Sequence, residues 1–475
     1  MPGYFVQNFG CRATQADGAA LERQLASRGL RAADSATEAN LVVLNTCTVT
    51  AAADQDARAA IRRIHRENPD ARIMVTGCYA QRAPQEVASL PGVTWVVGNS
   101  HKHQVVDIAA RPFSQNVVSQ DRVPQNHASR DFISLEAVAL SAPAFTMVGN
   151  IFAHTELVAA PVFSGESIAE KTRPNLKVQD GCDNRCSFCI IPSVRGQSRS
   201  MRLERVIAET NALVATGYRE IVLSGINLGQ WGRDFQPQQK FGHLLRALLE
   251  ETAIEKVRIS SVEPMDWSDE LIALVASSPR IAKHAHIPLQ SGSDRILRRM
   301  HRRYRPWHYA EKIRKIREAM PEAAIGADVM VGFPGETDEL FEESRSFIDR
   351  LPFTYLHVFT YSSRPGTPSA AMPDQVPVHV ARERNRILRE LAAQKNLAFR
   401  KSFIGRELDV ITLQMDGDGW TEALSDNYLK VRLVGRHAAN HQLTVDVTEI
   451  GDDHLMAVAN TGPHSLRENY TALCL

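Results

Sequence analysis

The sequence predicts an α/β protein in three parts: an N-terminal open parallel α/β domain, a central partial (β/α) barrel and a small C-terminal antiparallel β-barrel. Three observations carry this. The 475 residues exceed one ordinary core. Apolar strand-like runs alternate with helical patterns over 1–112 and again over 168–400, the pattern of parallel sheets with helices on their faces. Residues 401–470 then change to short β-type runs broken by Gly, Asn and Asp, as in a small barrel.

In the first part, GYFVQNFGC, ANLVVLNTC, ARIMVTGC and TWVVGN read as short buried strands. GAALERQLASRG and AADQDARAAIRRIHREN between them read as helices. Residues 113–167 have no clear period and are assigned to a linker or insertion, long for a simple connection. In the second part, strands are expected at LKVQDGC, EIVLSGIN, KVRISSVEP, KHAHIPLQSG, AIGADVMVGFPGE and YLHVFTYS. Helices such as LERVIAETNALVATG and ELFEESRSFIDRL fill the gaps. Such a barrel carries its chemistry at the C-terminal strand ends. The third part offers IGRELDVITLQM, WTEALSD, NYLKVRLVG, HQLTVDVTEIG and LMAVANTG.

Hydrophobic residues make up 44% and charged residues 23%, as in soluble globular proteins. A net charge of +1 means that any nucleic-acid contact must come from local patches. MPGYFVQNFGC lacks the basic start and apolar core of a signal peptide. The best apolar stretch, 132–149, contains Glu136 and Pro143 and is a poor membrane span. A cytoplasmic protein with no membrane association is expected.

Seven cysteines in such a protein point to metal or redox chemistry rather than disulfides. Cys474, next to last, is expected to be a free terminal thiol. Cys182, Cys186 and Cys189 follow a strand with CxxxCxxC spacing. Such a loop can wrap three thiolates around one edge of an iron–sulfur cluster and leave the fourth iron open. The competing reading is a zinc knuckle with a remote fourth ligand, or buried thiols. Cys11, Cys47 and Cys78 are far apart in sequence, yet each follows an apolar strand, as FGC, NTC and TGC. In an open parallel sheet the strand C-termini share one edge, so these three can converge. Asn45, Thr46 and Gly77 beside them suit tight, hydrogen-bonding loops. The bland alternative is three small buried residues.

The CxxxCxxC loop at the start of a barrel resembles the radical S-adenosylmethionine (SAM) superfamily. The three-part order resembles its methylthiotransferases, which have an N-terminal cluster domain, a radical SAM barrel and a C-terminal TRAM domain. NTCTVT (45–50), TGCYAQ (76–81) and QDGCDNRCSFCIIPSVRG (179–196) look like the branch acting on N6-threonylcarbamoyladenosine in tRNA. At 11–18 the chain reads CRATQADG, where that branch has a Lys-Val-Asn-Gln-Tyr-like run; Gln15 and Asp17 match and the aromatic does not.

The resemblance implies two 4Fe–4S clusters. Cys182, Cys186 and Cys189 would be the catalytic ligands of one, whose open iron takes SAM; Cys11, Cys47 and Cys78 would hold an auxiliary cluster that binds or supplies sulfur. It implies SAM contacts from Gly225 and Asn227 in LSGINLGQWGRD, Ser260 and Glu263 in SSVEP, Gln290 and Ser291 in HIPLQSGSD, and Gly332 in VGFPGET. The implied partners are the anticodon arm of tRNA, an electron donor such as flavodoxin or ferredoxin, and a sulfur donor. The implied reaction is sulfur insertion at C2 of the modified adenosine at tRNA position 37, followed by methyl transfer. Same-class alternatives are isopentenyladenosine-37 and a ribosomal-protein aspartate. Different-class alternatives are a two-cluster electron carrier and a non-catalytic, metal-stabilised RNA-binding protein. A carrier completes each cluster with four cysteines, and this chain offers three plus three.

Three basic runs suit phosphate contact: Arg195, Arg199, Arg202 and Arg205; Arg298, Arg299, Arg302, Arg303 and Arg305; and RERNRILRE (382–390). In the third, interleaved Glu favours a solvated helix face. Trp420, Tyr428, Lys430 and Arg432 in the small barrel suit base stacking or, equally, its core. The small barrel contributes no expected cluster ligand, so its removal is expected to weaken tRNA binding more than SAM cleavage.

Overall fold

The computed structural model describes residues 3–109, 144–153, 172–415 and 419–460. Most of the expected linker, 113–167, lies outside them, as does Cys474. The chain divides into two compact units: residues 1–159 with Ser193–Gly196, and residues 160–192 with 197–475.

The first unit is built on a six-stranded parallel sheet in the order β2-β1-β3-β4-β5-β6. The strands are β1 (Gly3–Asn8), β2 (Arg31–Ala32), β3 (Leu41–Thr46), β4 (Arg72–Gly77), β5 (Val93–Gly98) and β6 (Phe145–Met147). Strands β3 and β4 are apolar without alternation because both faces are covered. Val42, Leu44, Ile73 and Val75 pack on Ile61 and Ile64 of the helix Ala51–Glu67. Leu41, Val43 and Met74 join Leu21 and Leu25 of the helix Arg12–Ser27 on the other side. Thr50 caps the helix Ala51–Glu67 by accepting the Ala53 N–H at 3.2 Å. Two strands escaped the sequence reading. β2 has only two residues, and β6 lies in the stretch assigned to the linker.

The second unit contains all six expected barrel strands. They are β7 (Asn175–Lys177), β10 (Glu220–Ser224), β11 (Lys256–Ile259), β12 (His284–His286), β13 (Ala324–Val331) and β14 (Tyr355–Thr360). A small antiparallel pair, β8 (Gln179–Asp180) with β9 (Arg199–Ser200), brackets the cysteine loop. The parallel sheets β7-β10-β11 and β12-β13-β14 are joined by bridges at Val257–Ile281 and Ser261–His286, which makes a partial barrel.

After the helix Val378–Lys401 the chain closes a five-stranded barrel, β15-β16-β17-β19-β18. These are β15 (Glu407–Met415), β16 (Trp420–Ser425), β17 (Lys430–Val434), β18 (Gln442–Ile450) and β19 (Leu455–Ala459). It departs from the expected all-antiparallel pattern at one seam, where β17 and β19 pair in parallel. Val431, Leu433, Val445, Val447, Leu455 and Ala457 fill its core.

Candidate active site

The thiol loop of the second unit begins two residues after β8, at Cys182. Gln179 organises it. Its buried amide donates to the carbonyls of Asp180 (3.1 Å) and Gly181 (2.8 Å) and to Ser198 Oγ (2.9 Å), while its Oε1 accepts the Asn227 N–H at 2.8 Å. The loop after β10 is thereby tied to the thiols. A Cβ at Gly225 would lie 2.9 Å from that Oε1, so the close approach requires a glycine. The side-chain amides of Asn227 and Gln230 stand 3.8 and 3.9 Å from Cys182 Sγ. Arg302 donates to Cys186 Sγ at 3.2 Å, pairs with Glu263, and donates through Nε to the Tyr304 hydroxyl at 3.1 Å. That hydroxyl is anchored on the Leu289 carbonyl at 2.7 Å.

Burial raises the Cys182 thiol above its ordinary value. Burial, with Cys186 as neighbour, pushes Cys189 up to about 12. Burial opposes the Arg302 charge, but Tyr304, Glu263 and Cys186 hold its pKa well above the ordinary value. Three crowded thiols, ringed by N–H donors, form a donor set that fits an iron–sulfur cluster. Cluster thiolates accept such hydrogen bonds, and the bonds tune cluster potential. Among the described residues, the buried Asn227 Oδ1 has no hydrogen-bond partner.

The other expected cofactor contacts divide. Glu263 joins the thiols through Arg302. Ser260 donates its backbone N–H to the Leu223 carbonyl at 3.1 Å, next to the Gly225 loop. Gln290 turns the chain after β12 with φ +64°, its N–H on the Asp328 carbonyl at 2.8 Å. Ser291 Oγ pairs with Ser344 Oγ at 2.9 Å and caps the Ser293 N–H at 3.2 Å. Gly332 has φ +75°, and a Cβ there would lie 2.5 Å from Ala381 Cβ. Both the positive φ and the packing against Ala381 call for glycine there.

In the first unit, Cys11, Cys47 and Cys78 follow β1, β3 and β4, three neighbouring strands. Gly10 lies against Cys47 so closely that a Cβ would sit 2.4 Å from the Cys47 Cβ. Burial, then Cys78 and Cys11, pushes the Cys47 thiol up to about 12. Cys78 Sγ accepts from Asn99 Nδ2 at 3.5 Å, and Cys11 Sγ is 3.5 Å from Thr14 Oγ1. The expected polar loops are present. Asn45 Nδ2 donates to Asn8 Oδ1 (3.0 Å) and to the Thr14 carbonyl (2.7 Å), and Thr46 Oγ1 donates to the Thr76 carbonyl (2.5 Å). This triad of mutually interacting thiols fits a second cluster by the same donor chemistry.

The basic runs need correction. Arg195 is 1% exposed and, with Lys102, neutralises the buried Asp17 at 3.2 and 2.8 Å. Arg302 is at the thiols rather than on an RNA face. Arg384 is buried on Glu336 at 2.9 Å, whereas Arg386 pairs with Glu383 and Glu390 along the exposed helix face. A basic residue in such a run reads the same whether it serves phosphate, a carboxylate or a thiol. Gln179, Gln230 and Tyr304 carried no signal beyond lying near the cysteine and HIPLQ motifs. Asp17 had one, since it matches the branch pattern where its neighbours do not.

Three thiols at the mouth of a partial parallel barrel define the radical SAM class, and the radical SAM superfamily pattern matches residues 176–348. Residues 3–98 match a family described as uncharacterised, UPF0004. The threonylcarbamoyladenosine tRNA methylthiotransferase of Bacillus subtilis is 37% identical over 90% of this chain and 89% of its own length. That of Aquifex aeolicus is 35% identical over 90% and 96%. The tRNA-2-methylthio-N(6)-dimethylallyladenosine synthase of Thermobifida fusca is 34% identical over 98% and 90%. Among solved structures, the radical SAM methyltransferase TsrM of Kitasatospora setae shares the fold, with TM-score 0.55 and 17% identity over 78% of this chain and 76% of that one. The chain belongs to the radical SAM tRNA methylthiotransferases.

Proposed function

We propose that the protein is a cytoplasmic enzyme that converts N6-threonylcarbamoyladenosine at tRNA position 37 to its 2-methylthio derivative. The observation that carries the reading is the pair of three-thiol sites, each with polar hydrogen-bonding neighbours, in a chain similar to the threonylcarbamoyladenosine enzymes over nine-tenths of its length. Cys182, Cys186 and Cys189 hold one 4Fe–4S cluster and Cys11, Cys47 and Cys78 a second. With SAM bound, the first supplies a carbon-centred radical by reductive cleavage and the second handles the sulfur. Around the first, Asn227, Gln230 and Arg302 donate N–H bonds that stabilise thiolate charge. Glu263 fixes the Arg302 guanidinium, and Gln179 fixes the loop that presents Asn227. Around the second, Asn99 and Thr14 play the donor role. A low-potential carrier such as flavodoxin or ferredoxin supplies the electron, and a separate donor replenishes sulfur.

Nucleoside mass spectrometry of tRNA from cells lacking the protein tests this. The 2-methylthio form of threonylcarbamoyladenosine is expected to vanish while the unmodified nucleoside accumulates. Wild-type protein is expected to restore it and Cys186→Ala to fail. Loss of methylthio-isopentenyladenosine instead would assign the enzyme to the other tRNA branch.

A further inference from the structure

Apart from the cysteines, three strands of the partial barrel bring a second set of metal-type donors together. His286 is on β12, Asp328 on β13 and His357 on β14. Asp328 stands directly opposite His357, and His286 opposite Gly326, one residue pair along. All three occupy the sheet face opposite the buried Ile325, Ala327 and Val329. Among the described residues, theirs is a group whose ligand atoms all lie within 4.8 Å of one another. His286 Nε2 is 3.2 Å and His357 Nδ1 3.3 Å from the same oxygen, Asp328 Oδ1.

On the His357 side both spacing and orientation also suit a hydrogen bond, from Nδ1 to Asp328 Oδ1. On the His286 side the orientation does not complete a relay. His286 is 6% exposed, and its Nε2, although 3.2 Å from the carboxylate, makes no aligned hydrogen bond with any described residue. A buried nitrogen close to a carboxylate but not aimed at it is arranged for a common third atom. A metal ion with bonds of about 2.0–2.2 Å to nitrogen and oxygen holds its ligand atoms roughly 3.0–3.5 Å apart, and both observed separations fall in that range. The ring is also pre-set. The Tyr355 hydroxyl lies 3.0 Å from His286 Nδ1 and 2.6 Å from His284 Nε2. A hydrogen bond on the far nitrogen is what orients a metal-binding imidazole. Gly326 makes this possible, since a Cβ there would fall 1.9 Å from Tyr355 Cζ. Exposure of the side chains rises from 8% at His286 through 24% at Asp328 to 51% at His357, so the group opens on one side. His357 also lines a cavity of about 510 Å³ whose wall includes Lys430 and Arg432.

We propose that His286, Asp328 and His357 bind one divalent transition-metal ion of the zinc class, whose remaining positions take an anionic oxygen ligand. Two imidazoles and one carboxylate suit zinc or iron(II) better than calcium or magnesium. The threonylcarbamoyl group carries a carboxylate of the required chemistry and the isopentenyl group does not. This last identification rests on the proposed substrate; the metal site does not.

Zinc(II) is the probe. Anaerobic holoenzyme with both clusters loaded is titrated with zinc, and bound zinc and iron are counted by mass spectrometry. One zinc per chain at micromolar or tighter affinity is expected, with iron unchanged. His357→Gln, at an exposed position that should not disturb folding, and Asp328→Asn are each expected to weaken zinc binding at least about tenfold, and Tyr355→Phe by about 10- to 100-fold. No zinc uptake by wild type, or wild-type affinity in both His357→Gln and Asp328→Asn, overturns the site. With zinc bound, threonylcarbamoyladenosine is expected to bind more tightly than isopentenyladenosine, and equal affinities overturn the ligand assignment. Zinc uptake is read without tRNA or SAM, so its failure leaves the tRNA assay standing. Failure of that assay likewise leaves the zinc result standing.

Discussion

Arg302 shows how one side chain can serve two ends of a site. Its guanidinium touches a thiol on one side and a carboxylate on the other, and it is buried. A fixed positive charge beside a cluster favours the reduced, more negative form. At an effective dielectric of about 20, a unit charge a few ångströms away is worth a few kcal/mol, or on the order of 100 mV for one electron. Arg302→Met is therefore expected to move the midpoint potential of this cluster to more negative values by that order. Arg302→Lys, which keeps the charge, is expected to move it less. Redox titration followed by electron paramagnetic resonance measures this, and equal potentials in all three proteins would refute it. Asp17 is the counterpart in the first unit, one carboxylate facing two cations at 1–3% exposure. Asp17→Asn removes the buried negative charge that both cations face and is expected to cost about 3–5 kcal/mol, seen as a lower urea midpoint.

At the scale of elements, the turns that end β1, β3 and β4 set the auxiliary site. Gly10 has φ +92° and Gly77 φ +97°, a backbone region that strains any other residue. Gly10→Ala would also drive a methyl group into Cys47. The expected result is loss of about four irons per chain, one cubane, with 5′-deoxyadenosine formation by the other cluster retained. Iron analysis beside a SAM-cleavage assay decides it, and a full iron complement in the variant would sink the idea. These turns were legible in the sequence because an apolar strand-like run followed by Cys is a local pattern, readable in FGC, NTC and TGC. The six barrel strands were legible for the same reason. Other features depend on what a residue meets after folding. Arg195 and Arg302 stand in runs that read as phosphate contacts, and only tertiary structure turns them to Asp17 and Cys186. The short strand β6 has no period to detect, and the parallel β17–β19 seam is a matter of closure, not of composition.

At the scale of the whole molecule, the small barrel and the radical SAM core belong to one compact unit, and the join between them explains why. The hairpin between β16 and β17 meets the core where strands begin, away from the thiol loop. Arg258 on β11, 1% exposed, binds Glu220 at 2.7 Å and also the carbonyls of Ser425 (3.1 Å) and Asp426 (3.0 Å). Lys256 pairs with Asp426 at 3.2 Å. The Tyr428 ring lies 4.6 Å from the His284 ring and under the Arg258 guanidinium at 5.7 Å. Tyr428 is thus a joint, and not the base-stacking platform its place among basic residues suggested. Removal of residues 401–475, expected to weaken tRNA binding more than SAM cleavage, would also reach the core. Removal would strip Arg258 and Lys256 of buried partners, and half-paired buried charges are costly. The discriminating variant is Tyr428→Ala, which keeps the barrel and removes one ring from the joint. Loss of a large packed aromatic costs about 3–5 kcal/mol, and its partial exposure places the expected loss at the lower end. Chemical denaturation should show that loss while both clusters remain loaded. Below the unfolding midpoint, SAM cleavage should stay near wild type, because the ring is at the opposite strand ends from Cys182. Modification of tRNA should fall further, since a loosened joint no longer fixes the small barrel on the core. Unchanged stability together with weakened tRNA binding would instead return Tyr428 to the RNA surface.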